Sequence, residues 1–63
     1  MEKFWQFDVY LRNKKTGKWE YYSFIEGTQD EIQEYVDNCL SENKTDVMIT
    51  NNSYIKKTYT FDK

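Results

Sequence analysis

Sixty-three residues suffice for one domain and are too few for a large core, since a chain of this size buries only about 60% of its unfolded surface. The single cysteine, Cys39, excludes an internal disulfide, and the lack of histidine argues against a metal site or a histidine base. A formal charge of −2, with acids and bases interspersed, argues against a general nucleic-acid binder, and no apolar run approaches the ~20 residues of a membrane span.

Aromatic mass is the remaining resource for stability. Two Trp, four Phe and six Tyr make up 19% of the chain, and each aromatic can bury about 150–250 Å². The start, Met1-Glu2-Lys3-Phe4-Trp5, does not read as a signal peptide, and a lone cysteine fits a reducing compartment, so the expected location is cytoplasmic.

Residues 4–12 alternate. Trp5, Phe7, Val9 and Leu11 share one parity; Phe4, Gln6, Asp8, Tyr10 and Arg12 share the other. This predicts a strand with one buried face. Asn13 to Lys18 reads as a turn, with Asn13 capping it and Gly17 supplying a left-handed residue. Residues 18–25, rich in aromatics, form the return strand, which Glu26-Gly27 breaks.

Thr28-Gln29-Asp30-Glu31 is a capping box that opens a helix. Ile32, Tyr35, Val36, Cys39 and Leu40 then fall at helical spacing as one apolar stripe. The helix should run to about Ser41 or Glu42, with Asn43 as a left-handed stop. Residues 47–50 form a short strand, Asn51-Asn52-Ser53 a turn, and residues 54–61 a last strand with Ile55, Tyr59 and Phe61 on one parity.

The chain is thus read as a single α+β domain over residues 1–63, with ββαββ order: a four-stranded sheet and one helix on one face. The crossover from strand 2 to strand 3 should be right-handed. Strand order 2-1-4-3 makes strands 1 and 4 parallel neighbours, whereas 2-1-3-4 makes the sheet wholly antiparallel. The last strand, Lys57-Thr58-Tyr59-Thr60-Phe61, and the helix stripe ending near Asn43 resemble the β-grasp, in particular the small immunoglobulin-binding domains of bacterial surface proteins. The resemblance implies order 2-1-4-3. It carries over neither immunoglobulin binding nor ubiquitin-like conjugation, because the chain shows no secretion signal and ends Phe61-Asp62-Lys63 without a Gly-Gly tail.

No catalytic constellation stands out. Cys39 lies on the apolar stripe and reads as a small core residue rather than a nucleophile. Asp30, Glu31, Glu34 and Asp37 read as a solvated helix face. The two glycines are explained by turns, so there is no phosphate loop. The chain is therefore expected to be no enzyme and to use no cofactor and no metal.

The aromatic surplus is what remains. A helix covers one face of a sheet, and strand 2 carries aromatics on both parities: Trp19 and Tyr21 on one, Tyr22 and Phe24 on the other. Hydrophobic content would turn Trp19, Tyr21 and Ile25 inward. Turn chemistry favours a four-residue loop, Lys14 to Gly17, pairing Leu11 with Glu20 and Val9 with Tyr22 and turning Tyr22 and Phe24 toward the helix. A three-residue loop reverses this. On the four-residue reading the open face holds Tyr10, Arg12, Trp19 and Tyr21, with Gln6, Asp8, Ser23 and Lys56 around them.

Tyr, Trp and Arg are the usual hot spots of protein interfaces, so the expected function is protein binding through Tyr10, Arg12, Trp19 and Tyr21. The partner is either a host protein or a second copy in a homodimer. The alternatives are base stacking on single-stranded nucleic acid, which Asp8 and Glu20 oppose, and plain cross-strand stabilisation of an exposed sheet. A short Lys-, Asn- and Tyr-rich chain also resembles the small accessory proteins of bacteriophages and mobile elements. That resemblance implies a role in inhibiting or redirecting a host protein.

Overall fold

The protein is described here as a computed structural model covering residues 4–51 and 55–62. Its elements are β1 (Trp5–Arg12), β2 (Trp19–Gly27), α1 (Gln29–Asn43), β3 (Val47–Asn51) and β4 (Ile55–Tyr59). The order ββαββ and the α+β class are as the periodicities predict. Asn52, Ser53 and Tyr54, assigned above to the second turn and the start of the last strand, lie outside the described residues.

The sheet is wholly antiparallel with order β2-β1-β3-β4, not the β-grasp-like 2-1-4-3. The physical reason lies in the two C-terminal strands. In β3, Val47, Met48 and Ile49 are all buried, so this strand is apolar on both faces and takes an interior place. In β4, Lys56, Lys57 and Thr58 are exposed, which suits an edge, where charged side chains discourage further pairing.

Helix α1 begins at the capping box. The Thr28 hydroxyl accepts from the Glu31 amide at 3.3 Å, and Glu31 Oε1 accepts from the Thr28 amide at 2.8 Å. The stripe faces the sheet, with Ile32, Val36 and Cys39 buried and Tyr35 and Leu40 packed at its margins. The left-handed stop falls at Lys44 (φ 52°), one residue beyond the expected Asn43. Asn43 stays helical and its side chain donates to the Cys39 carbonyl at 3.1 Å, satisfying a terminal acceptor from within the last turn.

Below the helix, Phe7 and Val9 of β1 and Val47 and Ile49 of β3 complete the core. Two polar ties fix the far end. Thr45 Oγ1 donates to the Arg12 carbonyl at 2.7 Å, and Asp46 Oδ1 accepts from the Phe61 amide at 3.0 Å. Strand β4 therefore stops at Tyr59, and Phe61, expected within the strand, is held by this bond instead.

Strand β2 also departs from expectation by running through Glu26 to Gly27. Gly27 is needed for space: a Cβ there would lie 2.7 Å from Glu31 Oε1, the acceptor of the capping box. Gly27→Ala should therefore displace that carboxylate and lower unfolding free energy by about 1 kcal/mol in urea titrations. In a Glu31→Ala background the same substitution should cost much less. Equal costs in the two backgrounds would contradict this coupling.

Candidate functional site: the open face of the sheet

The first hairpin decides which aromatics meet solvent. Asn13 Oδ1 accepts from the Lys15 and Thr16 amides at 2.8 and 3.1 Å, and its backbone carbonyl accepts from Gly17 N at 2.7 Å. The Asn13 amide donates to the Lys18 carbonyl at 2.7 Å, and Gly17 has φ 77°. The loop is the four-residue one. It sets Arg12 opposite Trp19, Leu11 opposite Glu20 and Tyr10 opposite Tyr21.

Beyond Tyr21 the ladder slips. Val9 pairs with Ser23, not Tyr22, so Tyr22 is the extra residue of a β-bulge. Asp8 then faces Phe24, and Phe7 faces Ile25. The expectation that Phe24 turns toward the helix is overturned, as is the placing of Ser23 on the open face, whereas Tyr22, though exposed, lies near enough to Tyr35 of α1 to act on its hydroxyl. Ser23 and Ile25 face the helix, and Ile25 packs against the core. The bulge lets one strand satisfy two demands. The turn sends Trp19 and Tyr21 outward, and the core draws Ile25 inward.

The four predicted residues are brought together. The Arg12 guanidinium carbon lies 4.8 Å from the centre of the Trp19 ring, and Arg12 Nε sits 3.6 Å from Asp46 Oδ2. Tyr10 and Tyr21 meet edge-to-face with centroids 5.6 Å apart. Sequence reasoning missed Phe24, which is 54% exposed beside Tyr21 at 59%. A signal for it existed: Trp19 and Tyr21 out with Ile25 in requires one extra residue between them. Met48, on the same face between Tyr10 and Thr58, is buried. A small hollow of about 60 Å³, lined by Gln6, Asp8, Phe24, Thr50 and Asn51, borders Phe24. Around the face Asp8, Glu26 and Asp46 stand against Arg12 and Lys56, a net charge of −1, so the face is apolar at its centre and slightly acidic at its rim.

The helix side has a second concavity. It is about 170 Å³ and lies between α1 and β4, with Trp5, Phe7, Ile32, Ile49, Ile55 and Tyr59 in its walls. Trp5 and Phe7 stack at 6.4 Å along it. The two tryptophans thus sit on opposite faces.

Cys39 is buried beside Tyr35. Burial pushes its thiol above the ordinary 9.0, partly offset by the hydrogen bond with Tyr35. Burial likewise raises the Tyr35 hydroxyl above 10.0, opposed by its bond with Ser23. Both groups hold their protons more tightly when folded. Their stabilising contribution is full below the unfolded-state values and is lost as pH rises through the folded ones. Urea stability should therefore fall from about pH 9 upward, and Cys39→Ala should remove the earlier part of that fall. A flat profile in Cys39-containing protein would contradict the assignment.

Among the described residues, no three His, Cys, Asp or Glu side chains cluster to hold a metal ion, and no helix is long and apolar enough to cross a membrane. The chain matches no protein-family model, no curated protein and no solved structure.

Proposed function

We propose that this chain is a small non-enzymatic protein-binding domain whose partner docks on the open sheet face. The observation that supports this most is the side-by-side exposure of Tyr21 and Phe24, each more than half accessible, next to the Arg12–Trp19 stack. Large aromatics left in water are costly to keep there and release that cost on contact with a partner. The slightly acidic rim suits a protein surface better than a phosphate backbone. The composition, resembling small phage and mobile-element accessory proteins, supports a host-cell protein in the cytoplasm as the target.

The test has two arms. Immobilised protein and its Tyr10→Ala/Trp19→Ala variant are exposed to host lysate, and captured proteins are identified by mass spectrometry. A protein retained by the parent and lost by a folded variant supports the proposal; equal capture by both defeats it. In parallel, fluorescent oligonucleotides are titrated at low salt. Tight binding that weakens steeply with salt would replace the protein-binding reading with nucleic-acid binding.

A further inference from the structure

The sheet has two edges, and they differ. Strand β4 is five residues long and carries Lys56 and Lys57. Strand β2 is nine residues long and contains no Lys, Arg or Pro. Its only edge-blunting features are Glu20, Glu26 and the bulge at Tyr22, and an edge of that length still presents a row of backbone donors and acceptors directed off the sheet.

The structure specifies which residues form that row. Arg12 N donates to Asp46 O, Thr45 bonds the Arg12 carbonyl, and the Asn51 side chain bonds the Gln6 carbonyl. The even-numbered residues of β1 therefore spend their backbone groups toward β3. Their partners on β2 are Trp19, Tyr21, Phe24 and Glu26, which must direct their own amides and carbonyls away from β1, over the free edge.

The spacing of this row is uneven. One residue separates Trp19 from Tyr21 and Phe24 from Glu26, but two, Tyr22 and Ser23, separate Tyr21 from Phe24. A regular strand laid along β2 would lose register at the bulge. A second β2, running antiparallel, has the same interruption at the same place.

We infer that β2 pairs antiparallel with β2 of a second copy of this chain, about a two-fold axis between Tyr22 and Ser23. Tyr21 then lies opposite Phe24 of the second copy and Trp19 opposite its Glu26, each pair exchanging both backbone bonds. No like charges meet, because Glu20 falls opposite Ile25 of the second copy. Glu26 arrives beside the Arg12–Trp19 stack and gives that guanidinium a further anion. The result is one eight-stranded sheet whose open faces are continuous. This inference uses backbone groups and stands apart from what the open face binds.

Sedimentation equilibrium and concentration-dependent amide exchange on the unmodified chain test it together. The expected mass is twice 7.8 kDa at high concentration. Amide exchange at Trp19, Tyr21, Phe24 and Glu26 should slow by about tenfold between about 10 μM and about 1 mM, with β4 unchanged. Glu26→Lys, which sets a cation beside Arg12 of the second copy, should raise the dimer dissociation constant about tenfold. A monomer throughout this range, a dimer protected at β4 instead, or an unchanged constant in Glu26→Lys would overturn the inference. Equal partner capture by the parent and the Tyr10→Ala/Trp19→Ala variant, with the dimer intact, would count against the open-face reading alone.

Discussion

Replacing Tyr21 and Phe24 together with serine is expected to lower affinity for a captured partner by about 10³-fold, since central aromatic hot spots contribute at least about 2 kcal/mol each. The fold should survive. Both side chains lie on the open face, more than half exposed, and neither belongs to the core cluster. Their cross-strand contacts are worth about 0.2–1 kcal/mol each. Urea unfolding should therefore show only a modest shift, while calorimetric or surface-based affinity falls by orders of magnitude. Lys57→Ala, an exposed change on β4, should leave affinity within about twofold. A face variant that binds as tightly as the parent would remove the interface from this surface.

The largest stability loss is expected at Ile49. It is 1% exposed, pairs with Val9 in mid-sheet and belongs to the core cluster with Val36 and Cys39. Ile49→Ala should cost about 2–5 kcal/mol, combining lost transfer energy with a residual cavity. A chain of 63 residues has a total stability on the order of 3–9 kcal/mol. The variant should thus be partly unfolded at room temperature, with far-UV circular dichroism and urea titration both showing it. Ile55→Ala, at a half-buried position on the edge strand, should cost clearly less. Equal costs at the two sites would mean that the core is not centred where β1 and β3 meet α1.

Helix α1 was the most legible part of the chain because its signals are local. A capping box needs four residues, and the stripe from Ile32 to Leu40 needs only helical spacing. The strands were also legible from alternation. Strand order was harder, because it depends on comparing elements far apart in sequence. Three successive apolar residues in β3 against two lysines in β4 do distinguish an interior strand from an edge, but resemblance to the β-grasp pointed the other way.

The candidate site was legible by half. Tyr10, Arg12, Trp19 and Tyr21 follow from the turn chemistry of Asn13 and Gly17, which holds near the loop. Phe24 does not follow, because the pull of the core on Ile25 acts at the other end of the strand. Each argument governed one half of β2, and the bulge at Tyr22 joins them. A conflict between turn register and hydrophobic content is itself a sequence-level sign of a bulge.

Trp5 lies along the groove on the helix side and Trp19 on the open face, so the two indole N–H signals report which face a partner covers. Titrating a captured partner into ¹⁵N-labelled protein measures this directly. The account predicts that the Trp19 indole signal shifts or broadens, together with the amides of Tyr10, Arg12, Tyr21 and Phe24, while the Trp5 indole stays in place. Perturbation of Trp5, Ile55 and Tyr59 with Trp19 unmoved would contradict it and transfer the binding site to the opposite face.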